Sequence, residues 1–473
     1  MVEVRASVRA GKRRNGAWSK GRQEGECVSE RTNDQEPSGV RELKQDGEIA
    51  ARWGWVERAV WTERMLKALA TGVRGGKWHS LYDKVYGLSN LKAAWEQVKA
   101  NRGGGGVDKM SIADFEKDAD VRLSRLSEAL RTNTYKPLPV RRTYIPKLGS
   151  SEKRPLGIPT IIDRIVQTAL RNVIEPIFEQ EFDPCSYGFR PNLGCQNALG
   201  EIERLLAAGF MHVVDVDVRK YFDTIPHQGL MNEVAKRIAD GRVLGLIEAY
   251  LHQGVLEGMK LWMPETGTPQ GAVISPLLAN VYLHPVDTAM RQAGFTLVRY
   301  ADDMVVLCRT REQAEAALVK LSELLEARGL QLHPDKTRIA HLMERPGFQF
   351  LGYVFYDKYR DPRPSSQDKL RASLRAKTKR NTGHSFKDII RMLNASLRGW
   401  YNYFKFCSAN SRSWIKLDAW VRFRLRAILD KRRKGGRSNR RGRGHAHYRW
   451  PNAYFTEHGL FSLVSAVKLV RQS

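Results

Sequence analysis

The sequence predicts an α+β fold, and three observations lead there. From Met211 onward the chain reads strand, helix, helix, hairpin, helix, short strands, the order expected when helices cover one face of an antiparallel sheet. The strands are apolar and β-branched, and acidic residues stand at their ends. After Asp361-Pro362-Arg363-Pro364 the composition shifts to a basic helical stretch rich in aromatic residues.

Length and charge bound the possibilities. A chain of 473 residues that is 42% hydrophobic can bury a large core and has room for two or three domains. Lys and Arg number 79 against 51 Asp and Glu, a net charge of +28, which favours a polyanionic partner. No apolar run reaches the ~18 residues of a membrane span, and Met1 to Lys20 is basic and polar, without a signal core. The five cysteines form no C-x-x-C pair, which fits a reducing compartment. The expectation is an intracellular, cytoplasmic protein bound to nucleic acid, with no membrane partner.

In chain order, residues 1–75 form a basic extension whose composition predicts disorder, with one helical stripe through Val56, Val60, Leu66 and Leu69 beside Trp53 and Trp61. This stripe reads equally as an RNA-contacting arm or a loosely docked lead-in. Helices are expected over Leu81–Lys99 and Ser111–Leu130, and Gly103-Gly104-Gly105-Gly106 between them as a flexible turn, since no strand precedes it and no Gly-Lys-Ser/Thr follows. Tyr135–Lys147 and Lys153–Thr160 are two extended runs that make a hairpin with a cationic tip carrying Lys147 and Arg154. A solvated basic loop is the plainer alternative. Ile161–Ile177 reads as a helix stopped near Pro176, Asn197–Ala208 as another, and Gln228–His252 as one more. Ser275 and Pro276 suit the N-cap and first position of a helix. Arg311–Arg328 is amphipathic and ends at Gly329. Leu370–Trp420 is helical, and cations including Lys431, Arg432 and Arg433 follow it; aromatics among cations suit nucleic-acid contact.

Two acidic clusters carry the chemistry. In Met211–Val218 the two-residue period places Asp215 and Asp217 on one face and Val214, Val216 and Val218 on the other. Two further apolar runs flank Tyr300-Ala301-Asp302-Asp303, a hairpin with adjacent carboxylates at its tip. Either cluster alone has a plain reading, a salt bridge for the first and a solvated turn for the second. Together they favour a divalent-metal site. Template-directed phosphodiester synthesis needs two such ions roughly 3.5–4 Å apart, and Mg²⁺ prefers carboxylate oxygens and substrate phosphates to an all-protein cage. Lys147 and Arg154 would neutralise a triphosphate.

From Leu81 to Phe406 the sequence resembles the group II intron-encoded reverse transcriptases, or maturases. The motifs run in that family's order: Arg154-Pro155-Leu156-Gly157-Ile158-Pro159, Ser186-Tyr187-Gly188-Phe189-Arg190-Pro191, Asp217 through Phe222-Asp223-x-Ile225, and Thr268-Pro269-Gln270-Gly271 through Ser275-Pro276-Leu277-Leu278-Ala279-Asn280. Tyr300-Ala301-Asp302-Asp303, His333-Pro334-Asp335-Lys336-Thr337 and Phe350-Leu351-Gly352-Tyr353 complete the set.

The resemblance implies a right-hand polymerase, with fingers and palm around an antiparallel sheet over residues 76–360. A helical thumb, or maturase domain, follows over 361–430, and a basic tail over 431–473. It implies that Asp217, Asp302 and Asp303 hold two Mg²⁺ ions, with Mn²⁺ as a substitute, and that Asp223 is structural. Phe222 would exclude a ribose 2′-hydroxyl, Gln270 would stand beside the incoming nucleotide, Lys147 and Arg154 on its phosphates, and Lys336 would protonate the pyrophosphate leaving group. Arg398, Trp400 and Tyr403 lie in the thumb motif Leu393-Asn394…Arg398-Gly399-Trp400-x-Asn402-Tyr403-Phe404 and, with Lys431, Arg432 and Arg433, are the expected RNA contacts. The implied partners are group II intron RNA, an RNA template with a DNA or RNA primer, dNTPs and target DNA. No cysteine follows Cys407, so no endonuclease domain with paired cysteines is expected. A domesticated relative in defence or repair, and an RNA-binding splicing cofactor with a dispensable polymerase site, are the alternatives.

Overall fold

The computed structural model describes residues 52–146, 153–258, 260–357, 359–405, 407, 412–433 and 443–470. Lys147 and residues 1–51 lie outside that set. The compact unit begins at Trp53.

Residues 53–75, expected as part of a disordered extension, belong to this unit. Trp53, Val56, Val60 and Trp61 are buried, and α1 (Glu63–Thr71), capped by Thr62, buries Leu66 and Leu69. Their docking has a polar anchor. Pro176 sits inside a later helix instead of stopping it, so the Asn172 carbonyl four residues earlier lacks its usual amide donor. The Trp61 indole fills the gap, donating to that carbonyl at 2.9 Å.

Two expected helices are each split in two. Gly87 separates α2 (Tyr82–Tyr86) from α3 (Leu88–Asn101), and Asp118 separates α4 (Ile112–Lys117) from α5 (Ala119–Arg131). The glycine turn between α3 and α4 is held in place, because Arg164 and Arg141 donate to the Gly104 and Gly105 carbonyls, each at 2.8 Å. β1 (Val140–Pro146) and β2 (Lys153–Ile158) form the expected hairpin. α6 (Ile161–Glu179) follows, buried along most of its length, and then α7 (Cys195–Ala207) and β3 (His212–Asp217).

A single turn, α8 (Tyr221–Thr224), leads to α9 (His227–Ala235) and α10 (Gly241–Leu251), where one long helix was expected. Asp240 makes the break. Its carboxylate accepts from the Arg242 and Val243 amides at the start of α10, and from Leu81 and Tyr82 at the start of α2. β4 (Val255–Glu257) and β5 (Lys260–Trp262) extend the first hairpin into a sheet of order β2-β1-β4-β5.

α11 (Ser275–Gln292) is capped by Ile274, one residue before the expected Ser275. Then come β6 (Thr296–Tyr300), β7 (Asp303–Cys308), α12 (Arg311–Glu326) and β8 (Arg338–His341). The central sheet has the order β6-β7-β3-β8 and is antiparallel throughout. Cross-strand partners share a face, so Val213, Val305, Leu307 and Val298 lie on the side that also carries Asp217 and Asp303. Those four are buried in the same core as Phe348, Phe350, Tyr353 and Phe355 of β9 (Phe348–Phe350) and β10 (Tyr353–Tyr356). β11 (Tyr359–Pro362) closes that small sheet.

The same core continues into the C-terminal helices α13 (Pro364–Lys377), α14 (Phe386–Phe404) and α15 (Arg412–Arg433). The stretch Leu370–Trp420, expected to be helical, is spanned by these three helices. Much of the supposed separate tail folds back as α16 (Arg443–Arg449), α17 (Asn452–Glu457) and α18 (Leu463–Val470), burying Phe455 and Leu463. The Asp418 carboxylate on α15 accepts from the Leu463 and Val464 amides at 3.1 and 3.2 Å, and so caps α18 from another helix.

One polar group lies deep in the fold. Arg299 on β6 and Asp287 on α11 are fully buried and paired through two hydrogen bonds, Nε to Oδ1 at 2.7 Å and Nη2 to Oδ2. Burial pushes the Asp287 carboxyl up and the guanidinium opposes it. Since arginine keeps its proton in proteins, Asp287 must serve as its counter-charge. Asp287→Ala should therefore destabilise the fold by about 3–5 kcal/mol, whereas Arg299→Met/Asp287→Leu should recover much of that loss. Urea denaturation of the two variants tests this; equal losses would contradict it.

Candidate active site

The carboxylate turn is shaped from behind. β6 and β7 pair up to Tyr300 opposite Asp303, leaving Ala301 and Asp302 as a two-residue connection. Ala301 has a φ of +59°, a left-handed conformation unusual for a residue with a Cβ. Three contacts hold it. Arg299 donates to the Ala301 carbonyl at 3.1 Å and to Asn280 Oδ1 at 2.8 Å, while the Asn280 amide donates to the Gly188 carbonyl at 2.7 Å. Gly188 lies so close that any Cβ there would collide with the Ala301 nitrogen. The Tyr187 amide donates to the Arg299 carbonyl at 2.8 Å, which ties the Ser186–Pro191 segment to the strand. Arg299, Asp287 and Asn280 were not read as functional from sequence. Their signal was present: an arginine inside an apolar strand, and two polar residues seven apart in an apolar helix.

The pairing of β3 with β7 sets Asp217 opposite Asp303. Asp302 follows Ala301 at the turn and is half-buried. Asp215, on the same face, takes an ion pair with Arg338 at 3.6 Å, so the salt-bridge reading holds for it. Lys336 Nζ lies 2.7 Å from Asp217 Oδ2, with both side chains open to solvent. Asp303 also has an exposed side, but the protein around its carboxyl raises it first, and Asp302 and Asp215 raise it further, to about 6. Among the described residues no three His, Cys, Asp or Glu side chains converge tightly enough to hold an ion alone. Three crowded carboxylates nevertheless fit Mg²⁺, which takes one or two protein carboxylates and completes its shell with water and phosphate.

A cavity of about 360 Å³ is walled by Arg142, Gly157, Phe222, Trp262, Thr268 and Gln270. Gly267, at φ +88°, permits the close approach of this loop to residue 222, because a Cβ would strike the Phe222 carbonyl. The Thr268 amide then donates to that carbonyl at 2.7 Å. Gln270 Nε2 donates to Asp223 Oδ1 at 3.2 Å, so Asp223 holds the glutamine. Arg154 stands in β2 opposite Ile145. The expected RNA contacts divide. Arg398 is exposed, its guanidinium 4.7 Å over the Phe461 ring, and Lys431, Arg432 and Arg433 are exposed at the end of α15. Trp400 instead packs on Phe404 and Trp414, with ring centroids 4.8 and 5.1 Å away, and the Tyr403 hydroxyl donates to the Leu351 carbonyl at 2.8 Å. Among the described residues no helix is long and apolar enough to cross a membrane.

Residues 145–355 match the family model for reverse transcriptase (RNA-dependent DNA polymerase), and residues 367–450 match the group II intron, maturase-specific domain. Protein YkfC of Escherichia coli (strain K12) is 34% identical over 287 residues, which cover 52% of this chain and 74% of that protein. Group II intron-encoded protein LtrA of Lactococcus lactis subsp. cremoris is 37% identical over 214 residues, 45% of this chain and 35% of LtrA, so the match spans about a third of LtrA. A solved structure, the partial Cas6-RT-Cas1--Cas2 complex, aligns at 23% identity with a TM-score of 0.35, over 53% of this chain and 42% of that chain.

Asp303 also sets a pH dependence. Its folded value near 6 lies above the ordinary 3.8, so its contribution to stability is full below about pH 4 and is lost as pH rises through 6. Without divalent cations, Asp303→Asn should be more stable than wild type at pH 7, and the difference should shrink toward pH 4. Denaturation midpoints across that range measure it, and a pH-independent difference would refute the assignment.

Proposed function

Because the chain belongs to the group II intron-encoded reverse transcriptases and maturases, with a polymerase domain followed by a maturase-specific domain, we propose that it copies group II intron RNA into DNA at Asp217, Asp302 and Asp303. Membership makes it an RNA-binding, RNA-directed DNA polymerase of a family that uses divalent cations and assists splicing. The observation that carries the finer reading is the cross-strand pair Asp217–Asp303 with Asp302 at the turn, and a cavity lined by Phe222 and Gln270 supports it.

In this reading the three carboxylates hold two Mg²⁺ ions. Bound there, Mg²⁺ supplies an activated primer 3′-hydroxyl and charge neutralisation on the triphosphate. Phe222 lies under the sugar and excludes a 2′-hydroxyl, which selects dNTPs. Gln270, steadied by Asp223, faces the nucleotide, and Lys147 and Arg154 pair with its phosphates. Lys336 neutralises Asp217 until substrate arrives and then gives its proton to the departing pyrophosphate. Arg398, Lys431, Arg432 and Arg433 grip RNA phosphates and contribute position rather than sequence recognition. The maturase domain uses that grip to support splicing of the intron RNA.

Asp302→Ala/Asp303→Ala should reduce primer extension on an RNA template to background while leaving tight, salt-sensitive RNA binding intact. Extension by that variant would place the chemistry elsewhere. Phe222→Ala should keep DNA synthesis and admit rNTPs, read as the ratio of incorporation rates for dNTP and rNTP.

A further inference from the structure

The sheet β2-β1-β4-β5 carries one tryptophan that its own packing does not use up. Val140 pairs with Val255, and Val255 with Trp262, so the three stand on one rung and share a face. The two valines are buried, whereas Trp262, on the outermost strand, is 42% exposed. Arg142 lies two residues beyond Val140 and therefore on the same face. Its guanidinium sits over the Trp262 ring, 5.1 Å from the centroid. The Arg142 Nε is buried without a hydrogen-bond acceptor, which leaves the indole as the group this side chain is set against.

Arg142 and Trp262 wall the same cavity as Phe222 and Gln270. Hydrogen bonds hold those walls together. The Gly157 amide, opposite Arg142 on the hairpin, donates to the Gln270 carbonyl at 2.7 Å and fixes the 264–270 loop to the sheet. The Thr268 amide binds the same loop to the Phe222 carbonyl at 2.7 Å. Gly157 also keeps its place beside Arg142 bare, since a Cβ there would press on Val140 at 3.0 Å. In the reading above, Phe222 takes the sugar of a nucleotide and Gln270 stands beside it, while nothing is assigned to the base. A half-open indole steadied by a cation supplies what a base needs. Every base has a π-face, so stacking on an aromatic ring serves all four alike.

We propose that Trp262, held by Arg142, is the platform on which a nucleobase of the nascent base pair stacks. The ligand is a purine or pyrimidine ring, belonging either to the template or to the incoming dNTP. This rests on the polymerase reading above, which puts a nucleotide in that cavity. The plainer account makes Trp262 a hydrophobic cover for the loop; ring volume would then matter and the π-face would not.

The test uses the full chain with Trp262→Phe, Trp262→Leu and Arg142→Ala, alongside wild type and the Asp302→Ala/Asp303→Ala control. Fluorescence is read on complexes with a dideoxy-terminated primer, so that no extension occurs. In one arm 2-aminopurine is the templating base; in the other it is the base of the incoming triphosphate. Stacking on an indole quenches this probe. Wild type should quench it more than Trp262→Leu in one of the two arms, and that arm identifies the strand. With an extendable primer, Trp262→Leu should raise the KM for dNTP about ten-fold, the scale of one base–aromatic contact, at all four templating bases. Trp262→Phe, which keeps a π-face, should stay near wild type, and Arg142→Ala should fall between wild type and Trp262→Leu. Equal quenching by wild type and Trp262→Leu in both arms overturns the proposal. So does an equal KM for Trp262→Phe and Trp262→Leu, or a loss confined to one templating base. Should Trp262→Leu fail to fold, Arg142→Ala decides: wild-type quenching with an unchanged KM overturns the proposal. Failure of the polymerase reading looks different, because wild type and the double-alanine control would then extend primers equally.

Discussion

The carboxylate turn rests on a buried ion pair. Asp287 neutralises Arg299 in the interior, and the guanidinium still has a hydrogen for the Ala301 carbonyl and another for Asn280. A turn that places two carboxylates side by side, with an alanine at positive φ, does not hold its shape by local preference. The strain and the charge repulsion both oppose it. Rigid donors behind the turn resist both, and a bidentate guanidinium is well suited because its geometry is planar and its charge permanent. Lysine at position 299 would supply charge without the fork.

The front of the turn is arranged oppositely. Behind it the guanidinium is matched on each side, whereas at the front Asp217, Asp302 and Asp303 stand close together, with Lys336 2.7 Å from Asp217. Burial raises the Asp303 carboxyl first, and the neighbouring Asp302 and Asp215 carboxylates raise it further. In the proposed metal site, that crowding is the cost in local stability of holding carboxylates together.

The thumb does not stand apart. Residues from β3, β7, β9 and β10 share one apolar core with α14, α15 and α18, and the terminal helices dock through Asp418 and Arg426. A contiguous core transmits displacement instead of absorbing it. Hydrogen bonds from the Tyr403 hydroxyl to the Leu351 carbonyl and from Gln196 to the Asn402 carbonyl add polar ties between α14 and the elements it packs against.

Much of this was readable in the sequence. Period-two alternation put Asp217 on the face it occupies, the acidic hairpin was visible between two β-branched runs, and the ordered motifs named the family. These features are local, so a short window of residues determines them. Part of what was missed depends on distant partners: Asp240 caps α10 next to it and also α2, accepting from the Leu81 amide 159 residues earlier, and Trp61 serves a carbonyl freed by Pro176. For residues 53–75 the docked alternative is the one the structure takes, and the extent of burial at large apolar anchors such as Trp53 and Phe455 was not legible in stretches of charged composition. The chain by itself determined which residue types are available for the proposed chemistry, because carboxylates, a phenylalanine and a glutamine are called for by type. Tertiary structure alone decided which partners hold them, because a hydrogen bond such as Arg299 to Asn280 or Tyr403 to Leu351 depends on where separate elements meet and leaves no periodic trace in sequence.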